Sequence, residues 1–264
     1  MDSKTKYLQG RRIPELDFLR GLAIVLMMGH HTIYDLRHIF GLNILAFQDT
    51  VWFMDWIRPV ILLLFLTVSG VSSTFSRDNF KRGLRLLAFA ISFSLAMELV
   101  SYFGQMEMHV YFNVFHLLAL GILFYSLVTR GEKKQTQREG KDWRSLLLLV
   151  LGIIFLYLGS AVAKSPYLEH DYLMFIGLYS RDLPGMADYL PLFPWFGMFL
   201  IGAAIGRLFY QDRQSLLPQG WTKPLTLWGR PLLFLGRHPL TLYVVHQPLL
   251  LLLIWLILKG LRLA

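Results

Sequence analysis

Apolar residues in this chain gather into seven long runs: Leu16–Tyr34, Trp56–Phe75, Leu84–Phe103, Val110–Val128, Ser145–Ala163, Tyr189–Tyr210 and His238–Leu258. Each is close to the ~20 residues that a helix needs to cross the hydrocarbon core of a bilayer. The pieces between them are polar or rich in turn formers, most clearly Thr129–Arg144 and Gln211–Pro224, which read as loops. The pattern predicts an all-α fold, a polytopic transmembrane helix bundle of about seven spans forming a single domain over residues 1–264. Tyr172–Tyr179 (YLMFIGLY) is too short to cross alone and reads as an interfacial or re-entrant piece; a crossing there would raise the count to eight.

Composition agrees with this reading, because 55% of the 264 residues are hydrophobic and only 16% charged, against the ~25% charged of soluble domains. The absence of cysteine removes disulfides, thiolate metal sites and a cysteine nucleophile. The net charge of +9 would suggest nucleic acid in a soluble chain, but the basic residues follow the loops. Nineteen of the 26 Lys and Arg lie in the N-terminal segment and the second, fourth and sixth loops, six lie on the other side, and Arg20 lies within the first span. Short cytoplasmic loops retain positive charge, so the division predicts a cytoplasmic N-terminus, an outer C-terminus and no nucleic-acid partner. The first run has no small-residue cleavage site behind it and reads as a retained signal anchor.

Ionisable groups inside a span are costly and point to function, and the first span carries Asp17, Arg20, His30 and His31. Eleven residues from Arg20 to His31 amount to three helical turns plus about 20°, so the two share a face ~16 Å apart. Asp35 and His38 extend that face if the helix continues, giving one polar stripe of Asp17, Arg20, His31, Asp35 and His38, with His30 turned about 100° away. A histidine beside a carboxylate suits general-base chemistry. The alternatives are an Asp17–Arg20 anchoring pair, a packed core histidine and a metal site, for which no ligand spacing speaks.

At these residues the chain resembles a known family. Arg12–His31 (RIPELDFLRGLAIVLMMGHH) is similar to the opening of the heparan-alpha-glucosaminide N-acetyltransferase catalytic family and its bacterial homologues, and the interval Arg20 to His31 is similar to the Arg-x10-His motif of membrane acyltransferase family 3. Leu63–Gly70, Ala187–Gly202 and Leu235–Pro248 extend the resemblance over nearly the whole chain. It implies transfer of an acetyl or other acyl group from acetyl-CoA, bound on the cytoplasmic side, to a sugar hydroxyl or amine of an envelope glycan or another sugar-containing acceptor on the far side. The setting implied is a bacterial cytoplasmic (inner) membrane, with lipid around the protein, no metal, and a homodimer as one admissible assembly. His31 matches the family-3 histidine, Arg20 its arginine, and His38 is a counterpart of the catalytic histidine of the heparan acetyltransferases, so the base is His31 or His38, with Asp35 beside it. The chain departs from the heparan enzymes in having His31 where they have asparagine, in a shorter spacing to the next histidine, and in lacking a large luminal domain.

The remaining polar groups supply the other expected contacts. Asp17, Arg20, Arg237, Tyr243 and His246 are candidates for holding acetyl-CoA, with Arg82, Arg85, Arg207 and Arg230 as further cations near span ends. Asn113 and His116, three apart on one face, either line an acceptor cavity or fix helix packing. Asp182 and Asp188 lie in the external segment Glu169–Asp188, whose acids and aromatics suit a sugar; the segment reads as a cover over the acceptor site or as a loop lying flat on the bilayer. Ser69–Gly70, Gly202, Ala203 and Gly206 read as small residues that permit close helix contact. A secondary transporter, suggested only by Pro191 and Pro194 in the sixth span, and a non-catalytic structural or regulatory membrane protein are the competing readings.

Overall fold

In a computed structural model the described residues are 13–104, 109–132, 142–183, 186, 188–211 and 213–261. The basic residues expected to set topology at Lys4, Lys6, Arg11, Arg12, Lys133, Lys134, Arg138, Lys141 and Arg262 lie outside them. Nine α-helices form: α1 (Pro14–Tyr34), α2 (Arg58–Ser73), α3 (Asn79–Gly104), α4 (Val114–Val128), α5 (Trp143–Val162), α6 (Leu192–Phe209), α7 (Gln219–Trp228), α8 (Arg230–Arg237) and α9 (Pro239–Gly260), and no strand forms among the described residues. Phe53–Ser73, α3, α5, α6 and α9 are long and apolar enough to cross a membrane. α4, at 15 residues, is apolar but shorter. All seven expected spans are thus helices. Tyr172–Tyr179 holds only the 3₁₀ turn Met174–Ile176, which is no candidate for an eighth crossing.

Two departures bear on the site. Gln211–Pro224, read as a loop, enters α7, where Pro224 stands inside the helix and removes one backbone hydrogen bond. The short helix α8 follows directly, unread because eight residues are too few for a clear apolar period. Pro191 and Pro194 mark the N-terminal end of α6 and not a break at mid-span, so the feature that suggested a transporter is a helix start.

Chain contacts cluster into two compact units, 1–65 with 213–264 and 66–212, the division falling within α2. In the first unit α8 lies against the N-terminal half of α1 at backbone distance. A Cβ on Gly21 would stand 1.9 Å from the Leu232 carbonyl oxygen, and one on Gly236 would stand 1.8 Å from that of Asp17. Only glycine allows this approach. Arg20 locks it by donating to Asp17 Oδ1 at 2.9 Å and to the Gly236 carbonyl at 2.8 Å, in the last turn of α8 where carbonyls lack helical partners. At the start of α1 the buried Glu15 carboxylate accepts from Ser215 Oγ and the Leu216 N–H, both at 2.8 Å, fastening the segment that leads into α7.

In the second unit α5 and α6 form a close hairpin, with Gly152 against Gly197 and Gly159 against Pro194. The small residues read as contact points are where α2 meets α6: a Cβ on Gly70 would lie 2.1 Å from the Phe199 carbonyl, and one on Gly202 the same distance from that of Thr67. Arg207, at the end of α6, is 1% exposed. It donates from Nε to Asp142 Oδ2 at 2.7 Å, pairs with Glu132 through both terminal nitrogens, and reaches Tyr125 Oη at 3.2 Å. A guanidinium neutralised by two carboxylates is not an available cation, so Arg207 leaves the set expected to meet coenzyme A phosphates.

The glycine contacts make a direct prediction. Gly21→Ala and Gly236→Ala should each lower the thermal midpoint in detergent by several degrees, in line with the ~1–3 kcal/mol of overpacking. Gly29→Ala, whose Cβ would meet nothing within 4 Å, should leave it unchanged or raise it slightly. Fluorescence-monitored melting of the three variants decides this.

Candidate active site

The packing of α8 on α1 sets the course of α9. Gly236 stands beside Asp17, the ring of His246 lies 5.0 Å from that of His31, and Gln247 bonds to Asp35, so α1 and α9 ascend side by side in the same direction. The sequence reading placed His246 and Tyr243 apart from His31 as a donor-binding pair; in the structure they and His31 form one cluster. Ring contacts run Phe53–His30–His31–His246–Tyr243, with centroid separations of 5.6, 5.6, 5.0 and 5.5 Å.

Hydrogen bonds hold the groups around His31. His246 is 3% exposed, and its Nδ1 lies 2.6 Å from the Tyr243 carbonyl oxygen. A carbonyl can only accept, so the Nδ1 proton is fixed there and the neutral ring carries its lone pair on Nε2. Asp35 is fully buried, and its Oδ1 accepts from the Gln247 side-chain amide at 2.8 Å. Gln48, 1% exposed, donates to the His30 carbonyl at 2.7 Å and also touches the His30 ring nitrogen. The carbonyl oxygens of Gln48 and Gln247 are buried and accept no hydrogen bond among the described residues. Two polar acceptors therefore flank the histidines. His30, read as the weaker histidine, stands inside the cluster because Gln48 and Phe53 come to it from the following segment.

The expected polar stripe ends at Asp35. The α-helix stops at Tyr34 and residues 35–39 form a π-turn, whose extra residue per turn shifts every later side chain around the axis. His38 therefore leaves the face and is exposed, with Nε2 3.1 Å from Asp49 Oδ1 and its ring 4.7 Å from that of Tyr34. Asp49, which no sequence signal marked, also accepts from Nε and one terminal nitrogen of Arg37, and Arg37 and His38 hold its carboxyl below the usual carboxylate range.

The other candidates divide by unit. Asp17 and Arg20 form the lock described above, while Arg237 stays about half exposed with Nε 3.8 Å from Asp17 Oδ2. In the second unit Asn113 is the N-cap of α4 and not part of its span: its Oδ1 accepts from the Phe115 N–H at 3.1 Å, and His116 Nδ1 accepts from the Asn113 N–H at 3.4 Å. Both residues are buried in this reciprocal cap. Asp182 is exposed, and Asp188 sits in the left-handed region at φ 55°. Their segment is tied by Asp171 Oδ1, which accepts the Ser180 N–H at 2.7 Å. Glu98, on α3, meets His109 Nδ1 at 3.0 Å. Among the described residues no group of three His, Asp or Glu side chains is placed to hold a metal ion.

A buried His246 in ring contact with His31, with the buried Asp35 held by the neighbouring Gln247, on a chain of apolar helices that opens with the LDFLRG segment, suits acyl transfer. Residues 12–248 match the catalytic domain of heparan-alpha-glucosaminide N-acetyltransferase. The chain belongs to this family. No curated protein and no solved structure matches it. Family membership makes the chain a membrane acetyltransferase and accounts for the extent of the resemblance, since the match takes in the α1 helix, the glycine-rich α2–α6 contact and the His246 segment.

The capping role of Asn113 is open to test. Asn113→Ala should cost about 1 kcal/mol of stability, as cap removals do, while leaving the Michaelis constant for the acceptor unchanged. A raised Michaelis constant at unchanged stability would place Asn113 in the acceptor site.

Proposed function

We propose that this acetyltransferase moves an acetyl group from acetyl-CoA, reached from the cytoplasmic side, to a sugar hydroxyl or amine on the outer side of a bacterial inner membrane, with His31 as the base. The observation that carries the reading is the contact of His31 and His246 at 5.0 Å, with Asp35 and Gln247 fixed beside them. Neutral imidazole takes the acceptor proton as the acceptor oxygen or nitrogen attacks the thioester carbonyl. The carbon–sulfur bond breaks, the electron pair leaves on the coenzyme A sulfur, and the proton held on imidazole passes to that thiolate. The net products are the acetylated acceptor and free coenzyme A. His246, with Nδ1 already bound, offers Nε2 as a second proton carrier next to His31. The buried oxygens of Gln48 and Gln247 suit donors on the acceptor.

For the donor, Arg237 supports a phosphate site, because it is half exposed and only ~10 Å of helix rise separates the start of α9 from His246. Arg230, exposed at the start of α8, is a second cation on the same short helix. Arg20 and Asp17 serve this site as positioning residues through α8. Asp182 and Asp188 remain the proposed acceptor contacts of the outer segment, where exposed Tyr172 offers an aromatic face. The same direction of α1 and α9 is what an odd number of crossings gives, which supports opposite sides for the two termini.

His31→Ala should lower turnover by ~10²–10⁴-fold while thermal stabilisation by acetyl-CoA is kept. Arg237→Ala should instead weaken that stabilisation. Near-normal turnover in His31→Ala with loss in His38→Ala would move the base to the exposed His38–Asp49 pair. For sidedness, single cysteines at Gln135 and Ala264, both outside the described residues, should be labelled from opposite sides of the membrane, Gln135 from the cytoplasm; labelling from one side would refute the topology.

A further inference from the structure

The second unit contains a cavity of about 830 Å³, well inside the ~300–1,000 Å³ range of small-molecule sites, that the acetyl-transfer reading does not use. It is lined by Phe80 of α3, Leu120, Leu123 and Ser126 of α4, Phe155 of α5 and Phe196 of α6, with Arg130 just beyond the end of α4. Ser126 and Arg130 are the polar side chains on a wall that is otherwise apolar. From Leu120 to Arg130 it follows α4 for about ten residues, or ~15 Å, which makes it an elongated groove with its charge at one end.

The acids nearest in sequence are engaged elsewhere. Glu132 and Asp142 stand with Arg207 and Arg144. Arg207 takes both carboxylates and Arg144 lies 3.9 Å from Glu132, whereas no carboxylate among the described residues pairs with Arg130, which is exposed. Apolar walls alone would select nothing in a bilayer, since lipid tails surround every helix and are as apolar as the groove. Selection has to come from the group that meets Arg130.

We propose that this groove is a binding site for a single anionic glycerophospholipid, one acyl chain lying along α4 between Phe80, Phe155 and Phe196 and the phosphate meeting Arg130. With no carboxylate among the described residues paired to Arg130, this end of the groove favours an anionic head group over a zwitterionic one, in which the phosphate charge is offset by a choline or ethanolamine cation. The site is separate from the histidine cluster, all of whose members belong to the other unit.

The test is native mass spectrometry of the full chain, purified and stripped of lipid in detergent, with phosphatidylglycerol and phosphatidylcholine of identical chains supplied together in equal amount. The wild-type protein should retain one phosphatidylglycerol about fivefold in preference, the gain expected of one basic side chain at an anionic surface. Arg130→Gln, at an exposed position where folding is not at risk, should reduce the ratio to about one without changing phosphatidylcholine binding. Ser126→Trp, checked for an unchanged helical spectrum, should lower both adducts by filling the groove. Glycerol phosphate alone should not bind, because the chain supplies the residence in the groove. Equal retention of the two lipids by wild type, an unchanged preference in Arg130→Gln, or binding of glycerol phosphate alone would each overturn the proposal.

Discussion

The contact on which the candidate site depends is that of two backbones, not two side chains. Gly21 and Gly236 let α1 and α8 touch at carbonyl distance, and Arg20 closes the contact by satisfying the end of α8. Since α9 starts two residues after α8 ends, this fixes where α9 begins, and with it the height at which His246 meets His31. The LRG segment that made the chain recognisable is therefore a packing device. Its arginine and glycine hold the short helix α8 at a level ten to eleven residues, ~15–16 Å, before His31 along α1.

Charge is handled differently in the two units. In the second, Arg207 is buried among Glu132, Asp142 and Tyr125, an arrangement in which each group would be costly without the others. In the first, the buried acids meet smaller sets of donors: Glu15 a hydroxyl and an amide, Asp35 the Gln247 amide, and Asp17 the guanidinium of Arg20 with Arg237 at 3.8 Å.

The seven apolar runs were legible because a membrane span writes itself in composition, and the helices depart from them mainly at their ends. α8 was not, since its identity lies in its contacts and not in its eight residues. At the site, His31 and Asp35 could be placed by helical phase from Arg20, but the approach of His246 from a segment more than two hundred residues away carries no periodicity. Gln48 and Gln247 were missed for a related reason: neutral amides attract no attention until the structure shows them buried against a histidine carbonyl and a carboxylate. Asn113 and His116 share a face, as their spacing requires, yet the face is used to begin a helix.

The π-turn at residues 35–39 amounts to a helix that has received one residue more than its hydrogen-bond ladder calls for. Positions before and after it are counted on the same chain but belong to different helical phases. Histidine spacing measured across this turn consequently says little about whether two family members place their bases alike, and superposing them requires a one-residue gap within Asp35–Ile39 for a chain whose helix runs on unbroken. In such a chain a histidine three positions after the aspartate would stay on the face of Asp35, so that the insertion of a single residue is enough to turn one candidate base to the surface and leave the other against His246.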